Sequence, residues 1–181
     1  IAGAHGDDVN ADRSGSAYIF EMPDASPTVG WTTGPSMPTA REGMASCASG
    51  GKLYVVGGEN GGERTDLEIY DPATDSWTTG SSMPTARQSL ALGAIDGKLY
   101  ALGGYHNGTL STLEIYDTAT NVWTTGPSMS VMRRSLVVGV VDGKLYAVGG
   151  HDGSSQVATL EIYDPATNAW TTGSAMPTAR D

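Results

Sequence analysis

The sequence has a single cysteine, Cys47, which excludes an internal disulfide and a cysteine-based zinc cluster. Lysine is nearly as scarce, occurring only as Lys52, Lys98 and Lys144, and Lys+Arg number 10 against 20 Asp+Glu, a net charge of −10. A protein that reads a phosphate backbone works by counterion release from clustered cations, so a nucleic-acid partner is excluded. No apolar run approaches the ~18 residues a membrane-spanning helix needs, so membrane insertion is not expected. An initiator Met is missing as well: the first residue is Ile1, with no signal-peptide pattern behind it. The chain is therefore expected to be processed or, the favoured reading, a stretch of something longer. What is plentiful is glycine, 25 of 181 residues, roughly twice ordinary usage. With 39% hydrophobic and 17% charged residues the chain reads as an acidic, turn-rich globular protein and not a disordered one.

An internal repeat decides the fold class. Tryptophan occurs only at Trp31, Trp77, Trp123 and Trp170, at spacings of 46, 46 and 47. The pairs Gly57-Gly58, Gly103-Gly104 and Gly149-Gly150 keep the same step, as do Tyr70, Tyr116 and Tyr163, and all three lysines fall at one repeat position. Each unit divides into four short strands. The first is a nearly continuous apolar run, clearest from Ser135 to Val141, ending in an Asp-Gly turn (Asp96-Gly97, Asp142-Gly143) that favours a tight hairpin. The second is Lys-Leu-Tyr-x-x-Gly-Gly, and a variable polar loop leads to the third, Leu-Glu-Ile-Tyr-Asp, as at Leu113 to Asp117. Asp71-Pro72 and Asp164-Pro165 set the next turn, and the fourth strand carries Trp and Thr-Thr. The first two strands are apolar on both faces, which requires a layer on either side. Antiparallel sheets covered by copies of themselves are the blades of a propeller, so an all-β propeller of four-stranded antiparallel blades is expected.

Gly-Gly, then Tyr about a dozen residues on, then Trp seven further, then Met-Pro-Thr-Ala-Arg, resembles the kelch repeat over roughly residues 24–181. Residues 1–22 depart from it, and the string from Ile1 through Asp8, Asn10 and Asp12 to Phe20 resembles an FG-GAP repeat, the blade unit of integrin-type propellers, with strands at Ile1–Ala4 and Ser16–Phe20. The expected organisation is an incomplete FG-GAP-like blade over 1–41 and kelch-like blades over 42–87, 88–133 and 134–181.

Asp8, Asn10 and Asp12 have the alternating spacing of an oxygen-ligand calcium loop, and some FG-GAP repeats bind calcium in such a loop. Arg13 stands where that motif wants Gly and no acid follows to close the site, so a solvated turn is the alternative. Calcium is the one cofactor the sequence suggests. Arg41, Arg87, Arg133 and Arg180 recur with the repeat, as do Glu68, Glu114 and Glu161, and a feature present in every blade serves packing, so Arg–Glu or Arg–backbone pairs are expected between neighbouring blades. Function belongs where the repeats differ. The kelch resemblance implies that the loop after each Gly-Gly and the start of the next first strand form a binding face. Here that face would carry Glu59, Asn60, Arg64, Gln88, Tyr105, His106, Arg134, His151 and Asp152, with Glu42 as the strand-start position of the first complete blade.

The expected function is a non-catalytic module for binding another protein, or for architectural assembly with copies of itself. The alternative, also from the resemblance, is a carbohydrate-binding or carbohydrate-active propeller of mutarotase or copper-oxidase type. The oxidase needs a Tyr–Cys crosslink and two His ligands, whereas Cys47 lies in a first strand and His5, His106 and His151 share no ligand spacing. Glu59, His106 and His151 are the groups a mutarotase could use, and nothing singles them out. Asn107-Gly108-Thr109 is a glycosylation sequon, relevant if the chain is secreted. The FG-GAP resemblance and the shortage of lysine point to the cell exterior or surface.

Overall fold

In a computed structural model of the chain, described for residues 18–19 and 30–181, all regular structure among the described residues is strand. A short antiparallel pair, β1 (Tyr18–Ile19) and β2 (Thr32–Thr33), comes first. Three four-stranded sheets follow. They comprise β3 (Ala45–Ser49), β4 (Lys52–Val56), β5 (Leu67–Asp71) and β6 (Ser76–Thr79); then β7 (Ala91–Ile95), β8 (Lys98–Leu102), β9 (Leu113–Asp117) and β10 (Val122–Thr125); then β11 (Val137–Val141), β12 (Lys144–Val148), β13 (Leu160–Asp164) and β14 (Ala169–Thr172). Every sheet is an antiparallel meander in chain order, and the first strands pack on one another, β3 on β7 and β7 on β11. Consecutive meanders stacked through their first strands are the blades of a β-propeller.

Local chemistry explains each blade. In the first hairpin turn Asp96 and Gly97 have φ of 48° and 73°, and Asp142 and Gly143 have 50° and 70°. Two successive left-handed residues make the turn that matches strand twist. At the last turn Asp75, Asn121 and Asn168 are left-handed (φ 49°, 59° and 52°), a conformation short polar side chains tolerate. Their side-chain oxygens accept hydrogen bonds from the Tyr70, Tyr116 and Tyr163 hydroxyls at 2.6, 2.7 and 2.7 Å. The same tyrosine rings tilt against Trp77, Trp123 and Trp170 at 5.3, 5.2 and 5.2 Å. Each indole then donates backwards, to the carbonyls of Pro35, Ser81 and Pro127 at 2.9, 2.8 and 2.7 Å, tying a blade to the chain that enters it.

The hydrophobic core lies between blades. One cluster joins Val56, Leu67 and Met83 to Leu92, Leu99 and Tyr116, and a second joins Ile95, Leu113 and Met129 to Leu136, Leu145 and Tyr163. Three buried ion pairs accompany this core, with Arg41 Nη2, Arg87 Nη2 and Arg133 Nη2 lying 2.8, 3.0 and 2.7 Å from the carboxylates of Glu68, Glu114 and Glu161. These are the inter-blade Arg–Glu pairs expected from the repeat. Arg133 also donates to the carbonyls of Ala147, Gly149 and Thr159 at 3.2, 3.2 and 3.0 Å.

Two expectations need correction. The first strand of the last blade begins at Val137 and not Ser135, because Ser135, like Ser89, has a left-handed backbone (φ 53° and 52°) that breaks the extended run. The strand expected at Ser16–Phe20 is described only as Tyr18–Ile19, and the one expected at Ile1–Ala4 lies outside the described residues.

Leu99, fully buried between the first two complete blades, should cost about 3 kcal/mol when changed to Ala, whereas Val137→Ala at an exposed position should cost less than about 0.5 kcal/mol, both read by chemical denaturation. Three further pairs, Lys52–Asp71, Lys98–Asp117 and Lys144–Asp164 at 3.0, 3.4 and 2.8 Å, predict an acid response. Lys52 and a backbone N–H lower the Asp71 carboxyl, backbone N–H groups and Lys98 lower Asp117, and Lys144 with a backbone N–H lowers Asp164. A depressed folded-state value contributes stability that is present above the unfolded value and lost as pH falls through the folded one. Below about pH 4 the thermal midpoint should therefore fall more steeply in the natural chain than in an Asp71→Asn, Asp117→Asn, Asp164→Asn variant.

Candidate binding face

At the end of the second strand of each blade the Gly-Gly pair turns the chain back. Gly58 and Gly104 donate to the Arg87 and Arg133 carbonyls at 3.0 and 2.8 Å, and a Cβ on Gly57 would lie 2.6 Å from the Arg87 oxygen, so only glycine admits this approach. The next residue pairs with the residue ahead of the first strand. Glu42 bridges Glu59, Gln88 bridges Tyr105 and Arg134 bridges His151, all antiparallel. The loop then folds on itself through bridges Glu59–Glu63, Tyr105–Thr109 and His151–Gln156. These bonds are made by backbone, which leaves the side chains free to differ from blade to blade.

Two of those side chains reach the preceding blade. Gln88 Nε2 donates to Glu59 Oε2 at 2.6 Å. The Arg134 guanidinium lies over the Tyr105 ring, 5.3 Å from its centroid. His106 Nδ1 lies 3.9 Å from Glu63 Oε2, and its Nε2 lies 3.3 Å from Asn107 Nδ2. The loops of the last two blades also meet, since a Cβ on Gly153 would stand 3.2 Å from Thr109 Oγ1. The face thus runs as a chain of contacts, from Glu42, Glu59 and Glu63 in the first complete blade, through Tyr105 and Arg134, to the His151 loop of the last.

Other sequence-predicted positions bond to nearby backbone or to neighbours in their own loops. Asn60 Nδ2 donates to the Ala40 carbonyl at 2.9 Å, and Arg64 Nε holds Asp66 Oδ2 at 2.7 Å. Asp152 Oδ1 accepts from the Ser154 and Ser155 amides at 2.7 and 2.8 Å, and these bonds hold its carboxyl below the usual carboxylate range. His151 Nδ1 accepts from the Gly153 amide at 3.0 Å. Asn107 is exposed at a loop tip with a left-handed backbone (φ 51°). Asp8, Asn10 and Asp12 lie outside the described residues. Among the described residues no group of three His, Cys, Asp or Glu is placed to hold a metal ion. Cys47 is half-buried against the first core cluster, and burial pushes its thiol up to about 12. Glu63, beside His106, was not among the positions singled out from sequence. The signal for it is the four-residue return from Glu59 that Tyr105 and Thr109 repeat.

Three stacked four-stranded meanders presenting variable loops along one edge define a β-propeller repeat scaffold. Its sequence places it further: the KLHDC2/KLHL20/DRC7 Kelch-repeats domain matches residues 5–133, and the Kelch motif matches residues 132–177. The chain belongs to the kelch-repeat family. That match takes in the segment resembling FG-GAP, for which the matched families give no support. Among solved structures the fold is similar to the one titled "Structure of YjhT", with a TM-score of 0.73 and 20% sequence identity, covering 79% of this chain and 54% of that one. The chain thus spans about half the length of that structure. No curated protein matches the chain significantly.

Arg133 and Arg134 are adjacent and opposite in role, the first completely buried against Glu161 and the second on the loop face. Arg133→Ala should cost about 3–5 kcal/mol, as expected when one partner of a buried pair is removed. Arg134→Ala should cost at most about 1 kcal/mol, the lost cation–π contact. Denaturant melts of the two variants, side by side, check the division.

Proposed function

We propose that the chain is a non-catalytic kelch module that binds another protein through the loop face, taking an acidic segment of the partner against Arg134 and Tyr105. The observation that carries this is the Arg134 guanidinium, lying over the Tyr105 ring and half-exposed, with no carboxylate partner among the described residues. A guanidinium held over an aromatic ring by a cation–π contact still has N–H donors for a carboxylate, and its rotamer entropy is already reduced. Glu42, Glu59 and Glu63 of the first complete blade disfavour acid there, so the preferred ligand is acidic where it meets Arg134 and neutral or basic towards Glu59. Scaffold and variable loops also suit architectural assembly, in which the same face meets copies of the chain. An extracellular or surface setting fits the exposed Asn107 sequon and the scarcity of lysine.

A carbohydrate ligand is the second reading, supported by Tyr105 as a ring platform beside His106. Catalysis has less support, because Glu59 is engaged by Gln88, His151 by its own loop, and Cys47 lies against the core.

The test is a peptide array of mixed acidic and basic sequences, followed by titration of the selected peptides into the natural chain and into Arg134→Ala and Tyr105→Ala. Binding should fall at least about tenfold in each variant, and the selected peptides should carry Asp or Glu. Unchanged affinity in both variants would falsify the assignment. Selection of glycans but no peptide, on a parallel glycan array, would move the reading to carbohydrate.

A further inference from the structure

Two asparagines of the loop face, Asn60 and Asn107, are each followed by a glycine. An asparagine in that setting can react with its own backbone, because the nitrogen of the next residue can reach the side-chain Cγ. Glycine favours this, since it sets no Cβ in the path of the closing ring. The other asparagines among the described residues, Asn121 and Asn168, are restrained. Each side-chain oxygen accepts from a tyrosine hydroxyl at 2.7 Å, and the residues that follow, Val122 and Ala169, begin strands β10 and β14.

The structure separates the two Asn-Gly pairs. Asn60 is held twice: its backbone N–H donates to the Gly62 carbonyl at 3.2 Å, and its Nδ2 donates to the Ala40 carbonyl, in a segment twenty residues away, at 2.9 Å. In the next blade the corresponding backbone bond comes from His106, which donates to Gly108 at 3.0 Å, so Asn107 falls at the middle of the tip. Neither the Asn107 N–H nor the Gly108 N–H donates a hydrogen bond among the described residues. Asn107 is exposed, and its Nδ2 meets only the adjacent His106 ring, 3.3 Å away, which moves with the loop and does not tether it. A Cβ on Gly108 would meet nothing within 4 Å, so the attacking nitrogen has open space around it.

We propose that Asn107 is a site of spontaneous conversion to aspartate and isoaspartate. The Gly108 nitrogen gives up its proton and bonds to Asn107 Cγ, the Cγ–Nδ2 bond breaks, and Nδ2 leaves as ammonia, closing a succinimide. Water then opens the ring at one carbonyl or the other. Opening at Cγ gives aspartate, and opening at the backbone carbonyl gives isoaspartate, whose main chain runs through the former side chain. Either product places a new carboxylate on the loop that carries Tyr105, and isoaspartate also lengthens the segment closed by the Tyr105–Thr109 bridge. Weaker binding of an acidic ligand would follow, a consequence that rests on the reading of Arg134 and Tyr105 given above; the conversion itself does not.

The test ages the purified chain, folded and in denaturant, at neutral and mildly alkaline pH, and follows the amide-to-acid mass gain by peptide mapping. In the folded chain Asn107 should convert at least roughly fivefold faster than Asn60, the factor set by one net hydrogen bond. The rate should rise with pH, because the attacking nitrogen must lose its proton, and isoaspartate should be present at position 107. In denaturant the two asparagines should convert at similar rates, and Asn107→Gln should remove the fast reaction from the folded chain. The proposal is overturned if the folded chain gains no mass at Asn107, or if Asn60 converts as fast. It is equally overturned if the same preference for Asn107 persists in denaturant, which would make it a property of local sequence. No ligand enters this readout, so its failure and a failure of the binding assignment are told apart.

Discussion

The buried arginine at each blade boundary is the constraint on which the rest of the fold depends. Its carbonyl belongs to one blade and its guanidinium to the next, where Glu68, Glu114 or Glu161 receives it. Burial disfavours the charged form of Arg87 and Arg133, and the facing carboxylates oppose that. Such a pair adds little net stability compared with an apolar contact, but leaving one member unpaired is expensive. Its effect here is to fix the spacing and rotation of neighbouring sheets. The Gly-Gly pair follows in part from the same requirement, because the Arg87 carbonyl comes so close to Gly57, and the Glu42 carbonyl so close to Gly58, that no side chain fits. Those glycines accommodate the backbone of the chain that passes beside them.

With the frame set in this way, sequence variation is confined to the loop that follows the glycines. Backbone bridges hold that loop whatever its side chains are, so Glu59, Tyr105 and His151 occupy one structural position with three different chemistries. The repeat supplies geometry and the loop supplies specificity. The contrast between the glutamates of the first complete blade and the Tyr105–Arg134 contact arises in this way, from neighbours that share a backbone path.

The period, the strands, the hairpin turns and the Arg–Glu pairs were legible in the sequence because each is stated three times in register, and coincidence does not survive repetition. The contacts that make the loop face were not legible. Gln88 with Glu59 and Arg134 with Tyr105 cross a blade boundary, and a repeat period does not encode the direction in which a strand-start side chain leans. Residues 1–22 misled for the opposite reason: they occur once, and a string of Asp, Asn and Gly resembles more than one kind of turn. What ties Tyr18–Ile19 to the repeat is its register with Thr32–Thr33, the same pairing that the third and fourth strands make in every complete blade.

Because each ion pair is shared between blades, no blade is self-sufficient, and order accumulates at interfaces. This has a consequence for the loop face. Glu59 is braced by Gln88 from the following blade and Tyr105 by Arg134, so the loops of the first two complete blades are each held by a neighbour. The His151 loop has the same backbone bridge but no following strand start to brace it among the described residues, and its polar groups turn inward to Gly153, Ser154 and Ser155. Preorganisation, and with it the capacity to hold a ligand without an ordering cost, is therefore greatest around Tyr105 and Arg134, where the loop is braced and a free guanidinium coincides with an aromatic ring.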